Sequence, residues 1–346
     1  MKAAVLDAER QLTYRDVADP MPGDGEVLLE VRASAVCGSD VHRYLRGHRT
    51  YPMIMGHEAA GIVSAIGPGV DESLRGRRAA LIPLVPCHAC AQCRAGRFSA
   101  CPTYSFIGSR RDGAFAQLVA LPASNLLLVP GDLPLEAAAL IEPSTVARHM
   151  LDLGHFRSGD TAVVFGAGSI GLMLVQWLRI LGARLIVVSD LVAGNREAAL
   201  GLGAHLALDP AHDDVAAEVV RLTGVGADFV LEATGSPAAL GQTIEVARPR
   251  GAIILGGNQP LDASLPMTFV EGLMRKELTL TGGFMSYSAP WPGHEWTDGL
   301  AAVLDGRLDA TRMISHRAPL SDAPNLFGKI AVHRLTHRKI VFDPSS

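Results

Sequence analysis

The chain has 346 residues, 48% of them hydrophobic, with 31 basic and 35 acidic side chains and a formal net charge of −4. That length exceeds one domain of usual size, and that hydrophobic share can bury large cores, so two domains are expected. A charge balance near neutrality gives no electrostatic reason for a nucleic-acid or membrane-surface partner, which leaves a small molecule as the expected one.

In chain order, MKAAVLDAERQ reads as a short strand followed by charged residues. It lacks the basic and apolar regions of a signal peptide, so a cytoplasmic location is expected. EVLLEVRASAV, HEAAGIVSAIG, RRAALIP and FAQLVALP are short strand-like runs separated by Gly, Pro and Asp turns, which predicts a mainly β domain. Within it, PCHACAQCRAGRFSAC spaces Cys87, Cys90, Cys93 and Cys101 as Cys-x2-Cys-x2-Cys-x7-Cys. In a chain without a secretion signal such a loop points to a metal and not to disulfides. Four thiolates suit a closed tetrahedral zinc or an iron–sulfur cluster. Cys101-Pro102 matches the end of a ferredoxin run, but there the last interval is three residues and not seven. A closed site has no open position for chemistry. Other potential ligands are scattered: Cys37 in AVCGSDVH, His57 and Glu58 in MGHEAAG, and Glu142 in LIEPSTVARH. Singly, each also reads as a buried thiol, a surface pair or a helix N-terminal acid.

Thr161 to Leu178, TAVVFGAGSIGLMLVQWL, is 18 residues without a charge, the lower limit for a membrane helix. Gly166, Gly168 and Gly171 argue instead for strand, tight turn and helix. GAGSIG is a G-x-G-x-x-G in a β-α-β frame, with Asp190 closing the next strand, ARLIVVSD, roughly 20 residues on. The pattern predicts dinucleotide binding through Gly166, Gly168, Ser169, Ile170 and Gly171, with the pyrophosphate at the helix N-terminus and Asp190 on the ribose. A carboxylate there favours NAD over NADP, and no arginine follows before Arg196. EAALGLGA, HLALD, VAAEVVRLTG, ADFVLEAT, SPAALGQTIEVARP and GAIILGG continue the alternation of a doubly wound parallel sheet. The late basic run HRLTHRK reads as solvated surface.

With these motifs in this order, the chain resembles the zinc-dependent medium-chain alcohol and polyol dehydrogenases over nearly its whole length. The resemblance implies an α/β protein with a GroES-like β-barrel catalytic domain over 1–144, completed by 286–346, and an inserted Rossmann domain over 145–285. It implies two zinc ions per chain and NAD. The catalytic zinc set would be Cys37, His57, Glu58 and Glu142, and it leaves open whether Glu58 and Glu142 bind directly or through water. Cys87, Cys90, Cys93 and Cys101 would hold the structural zinc, and Ser39 and His42 the proton relay. A homodimer or homotetramer is expected.

FIGSRRDGAFA and LMRKELTLTGGFMSYSAPWPGHEW resemble the galactitol-1-phosphate dehydrogenase branch, which implies a phosphorylated hexitol as substrate. Arg110, Arg111, Arg275 and Lys276 are then candidate phosphate contacts. The alternatives are an unphosphorylated sorbitol, threitol or idonate-type polyol, and a non-catalytic nucleotide-binding relative. The last would not need Cys37, His57 and Glu142 together, and metal content separates it from an enzyme.

Overall fold

The structure is a computed structural model and describes residues 1–258, 264–332 and 334–345. It divides into two compact units, one of residues 1–142, 287–304 and 310–346, the other of 143–286 and 305–309. Among the described residues no helix is long and apolar enough to cross a membrane.

The strands of the first unit's N-terminal part are β1 (Lys2–Ala8), β2 (Gln11–Asp16), β3 (Glu26–Ala35), β4 (Met53–Ile54), β5 (Glu58–Ile66), β6 (Arg78–Leu81), β7 (Leu84–Val85), β8 (Ser105–Phe106), β9 (Leu118–Pro122) and β10 (Leu126–Leu128). The second unit supplies β11 (Thr161–Phe165), β12 (Leu185–Ser189), β13 (Leu206–Leu208), β14 (Ala227–Glu232), β15 (Ala247–Leu255) and β16 (Thr279–Gly282). The chain then returns to the first unit with β17 (Ile314–Pro319) and β18 (Lys339–Asp343).

In the first unit the main sheet runs β10-β6-β5-β3-β18-β17, with β9 also on β3. β3 alternates buried and half-buried positions, as a strand with one face on a core should. Its buried Val27, Leu29 and Val31 pack with Val63, Leu81 and Leu121. Each such aliphatic side chain contributes about 1.5–3 kcal/mol of burial. β3 lies between β5 and β18, with Ala35 opposite both Glu58 and Val341. This register makes the residues just beyond Ala35, just before β5 and at the start of β18 converge at one end of the sheet.

The second unit is one parallel sheet in the order β13-β12-β11-β14-β15-β16. Every residue of β11 is buried, which explains why TAVVF is continuously apolar instead of alternating. The strand order reverses beside β11, where a ligand crevice is expected in an open α/β sheet. The helix Pro237–Val246 stops earlier than SPAALGQTIEVARP suggests, because the next segment joins β15 from Ala247.

The HRLTHRK run is not a solvated surface throughout. His333 lies outside the described residues, but Lys339 opens β18 and is 1% exposed. Its position at the converging end of the sheet places its ammonium on Glu58, at 2.8 and 2.6 Å from the two carboxylate oxygens.

Candidate functional site

Cys37 caps the helix Gly38–Arg46. Asp40, three residues on, accepts a hydrogen bond from the Cys37 N–H at 3.1 Å, closing the N-terminal turn, while Arg43 and Arg46 lie in the last turn, where the helix dipole favours cations. Across the β3–β5 pairing, His57 and Glu58 face that turn, both buried. Gly56 makes the approach possible. Its φ is +91°, and a Cβ there would stand 2.8 Å from the Phe115 main-chain nitrogen.

One ligand atom each from Cys37, His57 and Glu58 lies within 4.8 Å of the others. Glu142 is outside that group of three but buried, in the first turn of the helix Ile141–Leu153. Burial pushes its carboxyl up to about 7; His57 and Lys339 oppose this, and Glu58 and Asp40 add to it. The His57 ring turns Nδ1 towards Asp40, 3.5 Å away, which leaves Nε2 as the nitrogen free for a metal. Burial opposes charge on both groups, but each holds the other ionised. Asp40, also approached by Arg43 and the Cys37 N–H, stays below its usual range. Against the same burial penalty, Asp40 and Cys37 raise His57 well above its usual value. A carboxylate behind a histidine is how proteins orient a metal-ligating imidazole. The donor set fits zinc: thiolate, imidazole and carboxylate are its ligands in open sites, and a divalent cation would offset the buried negative charge.

Two partners of this centre escape motif reading. Asp40 could have been found as the acid three residues after a candidate ligand. Lys339 has only the signal of a lysine heading an apolar strand, KIVF. Of the two residues expected to form a proton relay, Ser39 accepts at its Oγ from Arg43 at 3.0 Å. His42 is exposed, and no hydrogen bond of its side chain is present among the described residues. Partial burial and the charges of Arg46 and Arg43 lower its pKa.

The four cysteines of the second centre have their sulfurs within 4.8 Å of one another, and none of the five cysteines is in a disulfide. Main-chain N–H groups point at sulfur: Cys90 to Cys87 at 3.3 Å, Cys93 to Cys90 at 3.4 Å, Cys87 to Cys101 at 3.4 Å. N–H groups of Ala89 and Cys90 hold the Cys87 thiol down at about 6, whereas burial and the neighbouring thiols push Cys93 up to about 12. Four thiolates so close need a cation to ionise together, which fits a closed zinc site. The segment 273–296 contributes here, since the Trp291 ring packs edge-on against His88 and Phe98, both at 5.2 Å between centroids.

In the second unit the three glycines divide the work of the turn. Gly166 has φ +90°, and a Cβ on Gly171 would lie 1.8 Å from the Gly166 oxygen, so the helix packs against the turn only without a side chain. At Gly168 a Cβ would meet nothing within 4 Å, leaving open space above the N-terminus of the helix Ser169–Ile180. Ser169 Oγ is buried there without a hydrogen-bond partner among the described residues, and Ile170 follows in the first turn. These features fit a pyrophosphate. Asp190, just after β12, accepts from the Ala167 and Val192 N–H groups, both at 2.7 Å. Arg196, the first arginine after it, is paired with Asp209 at 3.1 Å.

Three of the four candidate phosphate contacts, Arg111, Arg275 and Lys276, already have partners. Arg111 pairs with Glu26 at 2.8 Å, Arg275 with Glu271 at 2.8 Å, and Lys276 donates to the main-chain oxygens of Ile244, Glu245 and Ala247. Arg110 lines a cleft with other arginines.

Residues 23–131 match the alcohol dehydrogenase GroES-like domain family and residues 169–303 the zinc-binding dehydrogenase family. The galactitol 1-phosphate 5-dehydrogenase of Escherichia coli is 33% identical over 92% of this chain and 92% of its own. The sorbitol dehydrogenase of Bacillus subtilis is 32% identical over 92% of this chain and 90% of its own. The crystal structure of galactitol-1-phosphate dehydrogenase from Escherichia coli superposes with a TM-score of 0.94 at 31% identity, covering 99% of this chain and 100% of that one. The chain belongs to the zinc-containing medium-chain alcohol and polyol dehydrogenases and is an NAD-dependent oxidoreductase of that family.

Proposed function

We propose that this dehydrogenase oxidises a secondary hydroxyl of a phosphorylated hexitol, of the galactitol 1-phosphate kind, to a ketose phosphate. The observation that carries the chemistry is the convergence of Cys37, His57 and Glu58 ligand atoms within 4.8 Å, with the Glu142 acid buried beside them. Zinc held there would supply a Lewis acid for the substrate hydroxyl, and bound NAD would supply the hydride acceptor. Cys37, His57 and Glu58 are the residues that would hold the metal, with Glu142 as fourth ligand or as the anchor of a water. Asp40 fixes the imidazole, and Lys339 balances the Glu58 charge. Ser39 and His42 would pass the released proton outward, and Arg43 orients Ser39 by donating to its oxygen. Gly166, Gly168 and Gly171 shape the pyrophosphate cradle, and Asp190 would accept the ribose 2′-hydroxyl and disfavour a 2′-phosphate.

The phosphate ester is supported by the similarity to galactitol 1-phosphate 5-dehydrogenase. An unphosphorylated polyol is the second reading, supported by the nearly equal identity to a sorbitol dehydrogenase. Five free cysteines suit a reducing compartment, so the proposed location is the cytoplasm. The test is a panel of polyols with and without phosphate, followed at the NADH absorbance with NAD and NADP in parallel. NAD-linked oxidation with the phosphate esters preferred is the expected result. Preference for free polyols replaces the substrate, and no turnover on any polyol removes the reading.

A further inference from the structure

A cavity of about 450 Å³ in the first unit is lined by Arg43, Arg46, Arg49 and Arg110 together with His48, Tyr104 and Ser109, and no acidic side chain lines it. We propose that this arginine cleft is the anion subsite that takes the phosphomonoester of the substrate. The inference rests on the proposed polyol phosphate activity and says where that substrate's charge is bound.

What distinguishes the cleft is the gathering of several arginines around one concavity with no acidic side chain in its lining. Elsewhere some exposed arginines have carboxylates, Arg15 with Asp7, Arg75 with Glu72, Arg221 with Glu218 and Arg307 with Asp305, and others, such as Arg77 and Arg184, have none within 4.0 Å among the described residues. Arg46, Arg49 and Arg110 have none within 4.0 Å among the described residues, although they line one concave site together. Gathering like charges costs energy unless an anion is shared between them, and a guanidinium matches phosphate geometry in two hydrogen bonds. Arg110 is held in place for this by its Nη1, which donates to the Tyr104 oxygen at 2.8 Å, and by the Tyr104 ring, whose centroid lies 3.7 Å from its guanidinium carbon. Tyr51 anchors the opposite loop by accepting from the His48 N–H at 2.8 Å.

Both walls run directly from the candidate zinc centre. Arg43 Nη1 lies 3.0 Å from Ser39 Oγ and 3.2 Å from Asp40 Oδ1, the carboxylate behind His57. On the other wall Phe106 packs edge-on against the His57 ring, with centroids 5.4 Å apart. Ser109 and Arg110 donate their N–H groups to the Phe106 oxygen, at 3.2 and 2.8 Å. A hydroxyl at the metal and an ester group on the same short carbon chain would thus meet the two ends of one continuous surface.

The experiment compares the zinc-loaded wild type with Arg49→Ser, Arg110→Ser and the double variant, using Arg221→Ser as a control outside the cleft. The readout is the ratio of kcat/KM for galactitol 1-phosphate to that for galactitol, together with inhibition by inorganic phosphate. Each cleft substitution should lower the ratio about ten-fold, the size of one lost charge-assisted hydrogen bond. KM for the ester should rise, and inorganic phosphate should weaken in parallel as a competitive inhibitor. If the ester is turned over but the ratio holds in the double variant, the cleft assignment is overturned and the polyol phosphate reading stands. A rise in KM for NAD alone overturns it in favour of the cofactor's pyrophosphate. If the wild type does not prefer the ester, both the assignment and the phosphorylated reading fall.

Discussion

The two candidate zinc centres lie in the same unit and are built in opposite ways. The cysteine loop takes four like ligands from a single stretch, Cys87 to Cys101, and tunes them with its own main-chain N–H groups. The other takes unlike ligands from separate places in the chain and surrounds them with buried charge: Asp40 behind His57, Lys339 on Glu58, and Glu142 nearby. A closed site of thiolates needs only proximity. An open one must hold its charges in place when one ligand position is exchanged during turnover, and a buried counter-charge network does that.

That contrast can be broken most strongly at the loop. Cys93→Ser should empty the closed centre and cost on the order of 4–5 kcal/mol, because zinc binding there is folding energy. Denaturant midpoints of the holoprotein would read it, and a small loss would mean that the loop holds its shape without metal. Next comes the counter-charge. Lys339→Met leaves the Glu58 carboxylate buried without its ammonium and should destabilise by about 3–5 kcal/mol. A change below about 1 kcal/mol would show the metal balancing Glu58 by itself.

The smallest effect is a slope with pH in metal-free protein. The carboxyl of Glu142 sits near 7 in the folded state against its ordinary 4.5. Between those values the folded state keeps a proton that the unfolded state releases, so this residue makes stability fall as pH rises from 4.5 to about 7, and level off above. Glu142→Gln should flatten that decline in thermal melts recorded across the range. An identical slope in wild type and variant would place the Glu142 side chain in contact with water.

The same contrast explains what could be read from the sequence. The cysteine loop is legible because its ligands are local and chemically alike, and the dinucleotide turn because its glycines come in a fixed order, Gly166 at positive φ, Gly168 facing open space and Gly171 where a Cβ would meet the Gly166 oxygen. The fold class follows from the alternation of apolar runs after Thr161. The open centre is only partly legible. Cys37, His57 and Glu58 are separated by a sheet register that brings Ala35 opposite Glu58, and periodicity does not encode which strands become neighbours. Lys339 looks like one more base in HRLTHRK until β18 pairs with β3 and carries it inward. Arg110 looks no different from Arg111 in SRRD, yet one reaches the arginine cleft and the other Glu26.

The most direct measurement is zinc content and turnover of Cys37→Ala beside wild type. Two zinc ions per wild-type chain and one per variant chain, with native circular dichroism and turnover abolished, is the predicted outcome, because the proposed chemistry takes place at the Cys37 centre alone. A Cys37→Ala protein that keeps two zinc ions, or that oxidises polyols at the wild-type rate, would contradict the account.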